Sequence, residues 1–370
     1  MAYYLRHYFD PGFNHEQLKP QILKDGEASH YYLEYVHNVV AGQVLAEVVD
    51  LAKHPGYPVE DKNFVFQEKI FPCGSNCEPH PDFPERILAK ISGYVFYNNG
   101  LINVKHLLNV RHDIDFHTGN IIFIGDVVAH QAVRTGFTLL GKNVLVKGTL
   151  EGATIIAGQN IVCESGVKGV GHGFLRCGGN VRVPFCENIT IYAAGNVEIS
   201  GSCLHSEIYA GGSVMIKGRL QGGTTYARDV VYVAEQAGGG YNTVTKVGLG
   251  YPPIDVRTLH RLQDETLHLR ERLTSLEVQA HRKTDLAEHN SPLIRLFNEK
   301  LRLKHEAISQ LSANLRMAEE NASKCRLICK GKVRPGLAVS IAQASTEVYD
   351  SYEHGLELHM RDNEIAYKPL

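Results

Sequence analysis

A chain of 370 residues exceeds what one hydrophobic core fills, so there is room for two or three domains. Lys and Arg number 38 against 40 Asp and Glu, a net charge of −2 without the basic excess of a nucleic-acid binder. No apolar run reaches the roughly 18 residues that a membrane helix needs, and "MAYYLRHYFDPGFNHEQ" lacks a signal-peptide core, so a cytoplasmic protein without membrane insertion is expected.

The first hundred residues predict a small β-rich domain, with short strands around glycine turns in "VVAGQVLAEVVDL" and "AKISGYVFYNNGLINV". This stretch holds Cys73, Cys77 and His80 in "CGSNCEPH" and His112, Asp113, Asp115 and His117 in "RHDIDFHTGN" just beyond it. One close cysteine pair is half of a structural zinc site, and Cys325/Cys329 is the only other pair at similar spacing. Cys325, Leu327 and Cys329 also fit one face of a strand, so no metal is expected. The histidine segment decorates the first solenoid strand, with Asp115 and Thr118 serving its turn. The eight cysteines read as reduced thiols, and Cys163, Cys177, Cys186 and Cys203 as small buried apolar residues.

From residue 101 the chain repeats itself. "GNIIFIG", "KNVLVKG", "QNIVCESG", "GNVRVPF", "GNVEISG" and "GSVMIKG" place a polar residue at Asn120, Asn143, Asn160, Asn180, Asn196 and Ser213. The steps are 23, 17, 20, 16 and 17 residues. A short, nearly fixed period with Val- and Ile-rich alternation marks a solenoid of short strands. Stacked coils form a parallel β-helix over residues 101–254. The Asn/Ser column follows from that geometry, because Asn tolerates sharp corners and its amides can hydrogen-bond from coil to coil.

A second strand per coil reads "TIIAGQ", "TIYAAG", "EIYAGG" and "TTYARD". With Ile191 and Ala193 pointing inward, Tyr192 points outward, as do Tyr209 and Tyr226. This predicts an external tyrosine ladder continued by Arg176 one coil earlier. Either another segment of the chain covers it, or Arg176, Tyr192, Tyr209 and Tyr226 form a surface for a partner or a sugar.

Glycine disappears after "VGLGYPPID". Residues 255–326 carry Leu259, Leu262, Leu269, Leu273 and Leu276, then Leu296, Leu303, Leu311, Leu315 and Ala318, at three-, four- and seven-residue steps. Ser291 as N-cap and Pro292 at the first helical position place a turn at "HNSPL", which predicts an antiparallel coiled-coil hairpin. Alternation returns over 327–370 in "CRLICKGKVRPGLAVSIAQ" and "GLELHMRDNEIAYKPL", a β segment that packs with the β-helix.

This ordered set — "TGNIIFIGDV", the Asn–Val coils, "GVKGVGHGFLRCGGNVRVPFCENITIYAAGNVEI", "LQGGTTYARDVVYV", the hairpin and "GKVRPGLAVSI…RDNEI" — resembles the bacterial flagellar assembly protein A family. The resemblance implies a mainly β fold, a right-handed parallel β-helix interrupted by a coiled coil. It also implies a cytoplasmic bacterial protein linked to flagellar assembly or polar organisation, acting on protein partners. The family supplies no catalytic residues.

Chemistry is sparse in the coils. Asp126, Glu151, Glu164, Glu187, Glu198, Glu207, Asp229 and Glu235 are scattered about one per coil, whereas sugar hydrolysis needs paired carboxylates. "GVGHGFLRCGG" leads into a strand, not the helix N-terminus of a phosphate loop, so its glycines serve corners. The expectation is a non-enzymatic scaffold or regulator without cofactor. The alternatives are a carbohydrate-binding or carbohydrate-active β-helix, and a polymer-forming cytoskeletal solenoid. A homo-oligomer could form through the coiled coil or the solenoid ends.

Overall fold

The computed structural model describes the chain apart from residues 1, 15–17, 19–20, 23–27, 241–242, 251–252, 283 and 317–321. It is mainly β and winds as a solenoid of about eight turns, with two helices. The chain forms two compact units, Met1–Ile189 and Thr190–Leu370.

In the first unit, Tyr3–His7 lies antiparallel between Val65–Phe66 and Val44–Asp50, which in turn pairs with Arg86–Ala89. A second small sheet joins Asn38–Val39, Gly93–Asn98 and Leu101–Lys105. "VLAEVVD", whose buried residues come in adjacent pairs at a register shift, and "YVFYN" bury Leu45, Ala46, Val48 and Val95 against Leu5, Ile87, Ile102 and Val104.

Parallel coils follow. Leu107–Val110, Asp126–Ala129, Val144–Val146, Ile161–Cys163 and Val181–Val183 stack in one sheet. Ile121–Ile122, Thr138–Gly141, Thr154–Ala157 and Val167–Cys177 stack in the other. The registers align Val127, Val144, Ile161 and Val181 into one inward column and Ile121, Leu139, Ile155 and Leu175 into another, all buried. Each inward side chain therefore packs on its counterparts one rung above and below, which is how so thin a coil excludes water.

The first coil does not present a bare edge. Asn38 donates its amide to the carbonyl of Ile122 at 2.8 Å, and its Oδ1 accepts the N–H of Ile124 at 3.0 Å. Tyr31 contributes its carbonyl to the N–H of Asn120 at 2.7 Å. The histidine segment is a turn here, not a strand: Asp115 Oδ1 accepts the N–H of His117 at 2.8 Å, and the Thr118 hydroxyl accepts the N–H of Asp115 at 2.9 Å. Only Ile114 makes a bridge, to Val133.

In the second unit, Val197–Ile199, Val214–Ile216, Val230–Val233 and Arg326–Cys329 stack in parallel. Cys203–Ala210, Arg219–Ala227, Thr245–Leu249 and Leu337–Ile341 do the same. The helices sit between two successive rungs without disturbing them, since Val230 pairs with Arg326 across the insertion. A Cβ placed on Gly250 would stand 3.3 Å from Cys325 Sγ, so the insertion leaves and returns at nearly one point. Both sheets then end in reversals, Leu356–Arg361 with Glu364–Pro369, and Ala344–Val348. Antiparallel, charged terminal strands discourage end-to-end stacking, which weighs against a polymer built through this end.

The helices are α1 (Pro253–Arg282) and α2 (Thr284–Arg316). "HNSPL" is therefore not a turn: Ser291 and Pro292 lie inside α2. Leu296 and Leu303 are also off the seam, 50% and 52% exposed, while Thr266 and Leu301 are buried. The heptad count shared leucines between two faces because α2 carries apolar residues on more than one. Ala318 and the side chains of Leu276 and Leu315 lie outside the described residues.

Candidate functional surfaces

Hydrogen bonds run between polar side chains of successive coils from Asp126 upward. Asn143 donates its N–H and its amide to Asp126 Oδ1 at 3.1 and 2.9 Å. Asn160 makes the same pair of bonds to Asn143 Oδ1, and Asn180 donates its N–H to Asn160 Oδ1 at 2.9 Å. In the second unit Ser213 donates its N–H to Asn196 Oδ1 at 2.8 Å. Asn120 stands in the other sheet, where its Oδ1 accepts the N–H of Thr138 at 2.8 Å. The foot of the column is Asp126, in register below Asn143. The irregular step of 23 residues from Asn120 was the available signal, for Asp126 lies 17 before Asn143. These side chains close corners; they present no chemistry.

The tyrosines do stack. Tyr192 and Tyr209 have ring centroids 5.9 Å apart, and Tyr209 and Tyr226 5.7 Å apart at 20° between planes. Tyr192 and Tyr209 are 8% and 5% exposed, so they are covered, while Tyr226 is half-buried. Ile208, Tyr209 and Ala210 are buried in succession, the mark of a strand covered on both faces. Helix α1 approaches this strand, Cys203–Ala210, from outside. Burial raises the hydroxyl pKa of Tyr226. Arg176 lies in the first unit, exposed, at the end of an outward column of Ile122, Leu140 and Ile156.

The cysteines sit in apolar surroundings. Cys163, Cys177, Cys186, Cys203, Cys325 and Cys329 are buried free thiols. Cys77 Sγ donates to the Ile102 carbonyl at 3.2 Å, and burial pushes its thiol up to about 12. Cys325 and Cys329 donate to the carbonyls of Arg228 and Lys332. Thiols held protonated are poor ligands. Among the described residues no group of three or more His, Cys, Asp or Glu is placed to hold a metal ion.

Some carboxylates on the coils form surface ion pairs. Asp113 takes both Nε and Nη2 of Arg134, at 2.9 and 2.7 Å, and Glu198 pairs with Lys217 at 3.0 Å. Such pairs contribute little stability.

Helices α1 and α2 lie side by side. Lys304 pairs with Glu265 and holds its carboxyl below the usual range, while the Arg272 guanidinium stands 5.8 Å from the Phe297 ring. On one side runs an apolar groove of about 550 Å³ formed by Leu269 and Leu303, rimmed by Glu265, His268, Lys300 and Lys304. None of the described helices is long and apolar enough to cross a membrane. The groove was not legible from the heptads, which placed Leu303 in the seam.

Residues 106–365 match the family model described as the Flagellar Assembly Protein A beta solenoid domain. No curated protein and no solved structure gives a match.

Proposed function

We propose, from the premise that the chain belongs to the flagellar assembly protein A β-solenoid family, that it is a non-enzymatic scaffold in bacterial flagellar assembly or polar organisation. In this reading the stacked coils are the rigid support. The helix pair is a coiled-coil hairpin held out to a cytoplasmic protein partner, and residues 1–100, 101–254, 255–326 and 327–370 serve as its four segments.

The observation that carries the reading is the apolar groove on α1 and α2. Exposed leucines on a charged helix pair cost solubility and return nothing to the solenoid, whose rungs pair without them. A helix laid into the groove would bury Leu269 and Leu303, with Glu265, Lys300 and Lys304 setting its register. The carboxylates engaged in ion pairs fit a protein that binds and does not catalyse.

The test is the variant Leu303→Asp, expressed in place of the native chain. The substitution falls on an exposed position in the groove, so the melting temperature should move little. Flagellar number or position should change as in a strain lacking the protein. Native flagellation with the folded variant at native abundance would contradict the reading.

A further inference from the structure

The recess beside Tyr226 differs from every other surface described above. Beyond Tyr226 the register partners are Gly248, Ser340 and Ser345. The Tyr226 ring leans over bare backbone: a Cβ on residue 248 would come 2.3 Å from its Cδ1 and Cε1. Glycine is thus required sterically at 248, and its absence of side chain lets the last ring form the wall of a cavity. That cavity measures about 410 Å³, within the range of small-molecule sites.

Its chemistry is narrow. The hydroxyls of Ser340 and Ser345, outward in their strands, line the space, while Thr346, in register with buried Val339, bonds the Tyr367 hydroxyl at 2.7 Å on the other face. Lys246 and Glu347 are in register on either side of Ala338, two strand spacings or roughly 10 Å apart along the sheet. The Tyr349 hydroxyl donates to Glu347 Oε2 at 3.1 Å and leaves the other carboxylate oxygen for a ligand. One cation opposite one anion gives no preference for a phosphate or a metal ion. An aromatic face attracts the positive edge of C–H groups, while a carboxylate and an ammonium accept from and donate to neighbouring hydroxyls.

We propose that this recess binds a neutral carbohydrate, with a pyranose C–H face on Tyr226 and its hydroxyls shared between Lys246 and Glu347. Binding, not cleavage, is the activity: Glu347 has no second carboxylate among the cavity-lining residues. The proposal stands apart from the helix groove and from any protein partner there.

The experiment is isothermal titration of the full chain with cellotriose and with chitotriose, both uncharged and both displaying C–H faces. One site per chain is expected for at least one of them, with a Kd of about 1 mM or below. Tyr226→Phe should keep binding within about threefold, while Tyr226→Leu should lose about tenfold or more. Lys246→Ala, at an exposed position, should weaken binding about fivefold and decides the matter if the leucine variant folds poorly. No heat from either sugar at about 10 mM overturns the proposal, as does a Kd unchanged by Lys246→Ala or heat with inorganic phosphate alone.

Discussion

Asn160 donates both its backbone N–H and its side-chain amide to one atom, Oδ1 of Asn143, at 3.2 and 3.1 Å. The same oxygen position on Asn160 then receives the N–H of Asn180. Each amide therefore satisfies the corner of the next coil, and one residue serves two rungs.

Replacing Asn160 with Ala removes the side-chain donor to Asn143 Oδ1 and the Oδ1 acceptor of the Asn180 N–H, while the backbone N–H at 160 keeps its bond to Asn143. The cost should be about 1–3 kcal/mol, read as a lower denaturant midpoint with unchanged slope. Asn120→Ala removes one bond, to Thr138, and should cost no more than about half as much. Equal losses would put Asn120 back in the column.

Excising residues 257–324 in favour of a short flexible linker should leave the solenoid folded. Gly250 and Cys325 already stand together, and Val230 pairs with Arg326 without help from either helix. A short closed loop carries a small entropic penalty. Circular dichroism should lose its helical signal while the sheet still melts cooperatively. An insoluble or molten product would contradict this, and would make the helix pair essential to the fold.

His7 should make the first unit acid-sensitive. Its ring is packed among Phe9, Phe64 and Tyr97, Nε2 has no partner, and burial lowers its pKa from 6.5 to about 4, with Asp61 pulling weakly the other way. The unfolded chain then binds the proton more readily than the folded one, so stability is full above pH 6.5 and falls as the pH drops towards 4. The loss is on the order of 1 kcal/mol after allowing for solvent that reaches the half-buried ring. His7→Phe should flatten that limb of the pH–stability curve. An unchanged limb would assign the acid response to other groups.

Much of the architecture was legible because it is periodic. Val144, Ile161 and Val181 recur with the coil and fall into one column, as repeating apolar positions must when rungs stack. The side of the coil was harder to read, since "GNIIFIG" and "KNVLVKG" look alike yet begin strands of different sheets. Alternation set Tyr209 outward, but alternation concerns one strand alone and cannot report that the outward face is buried as well. The helix turn was misplaced because Ser-Pro is a start signal only when a helix does not already run through it. The recess at Tyr226 depends on Gly248 before the helices and on Ser340 and Glu347 after them, joined to it by register.

The central claim is that the helix pair, displayed by the solenoid, is what flagellar assembly uses. The direct measurement is flagellar number and position in a strain lacking the protein, complemented either by the full chain or by the chain with residues 257–324 excised. The full chain should restore native flagellation, and the excised chain, folded and equally abundant, should not. Restoration by the excised chain, or native flagella in the uncomplemented strain, would contradict the account.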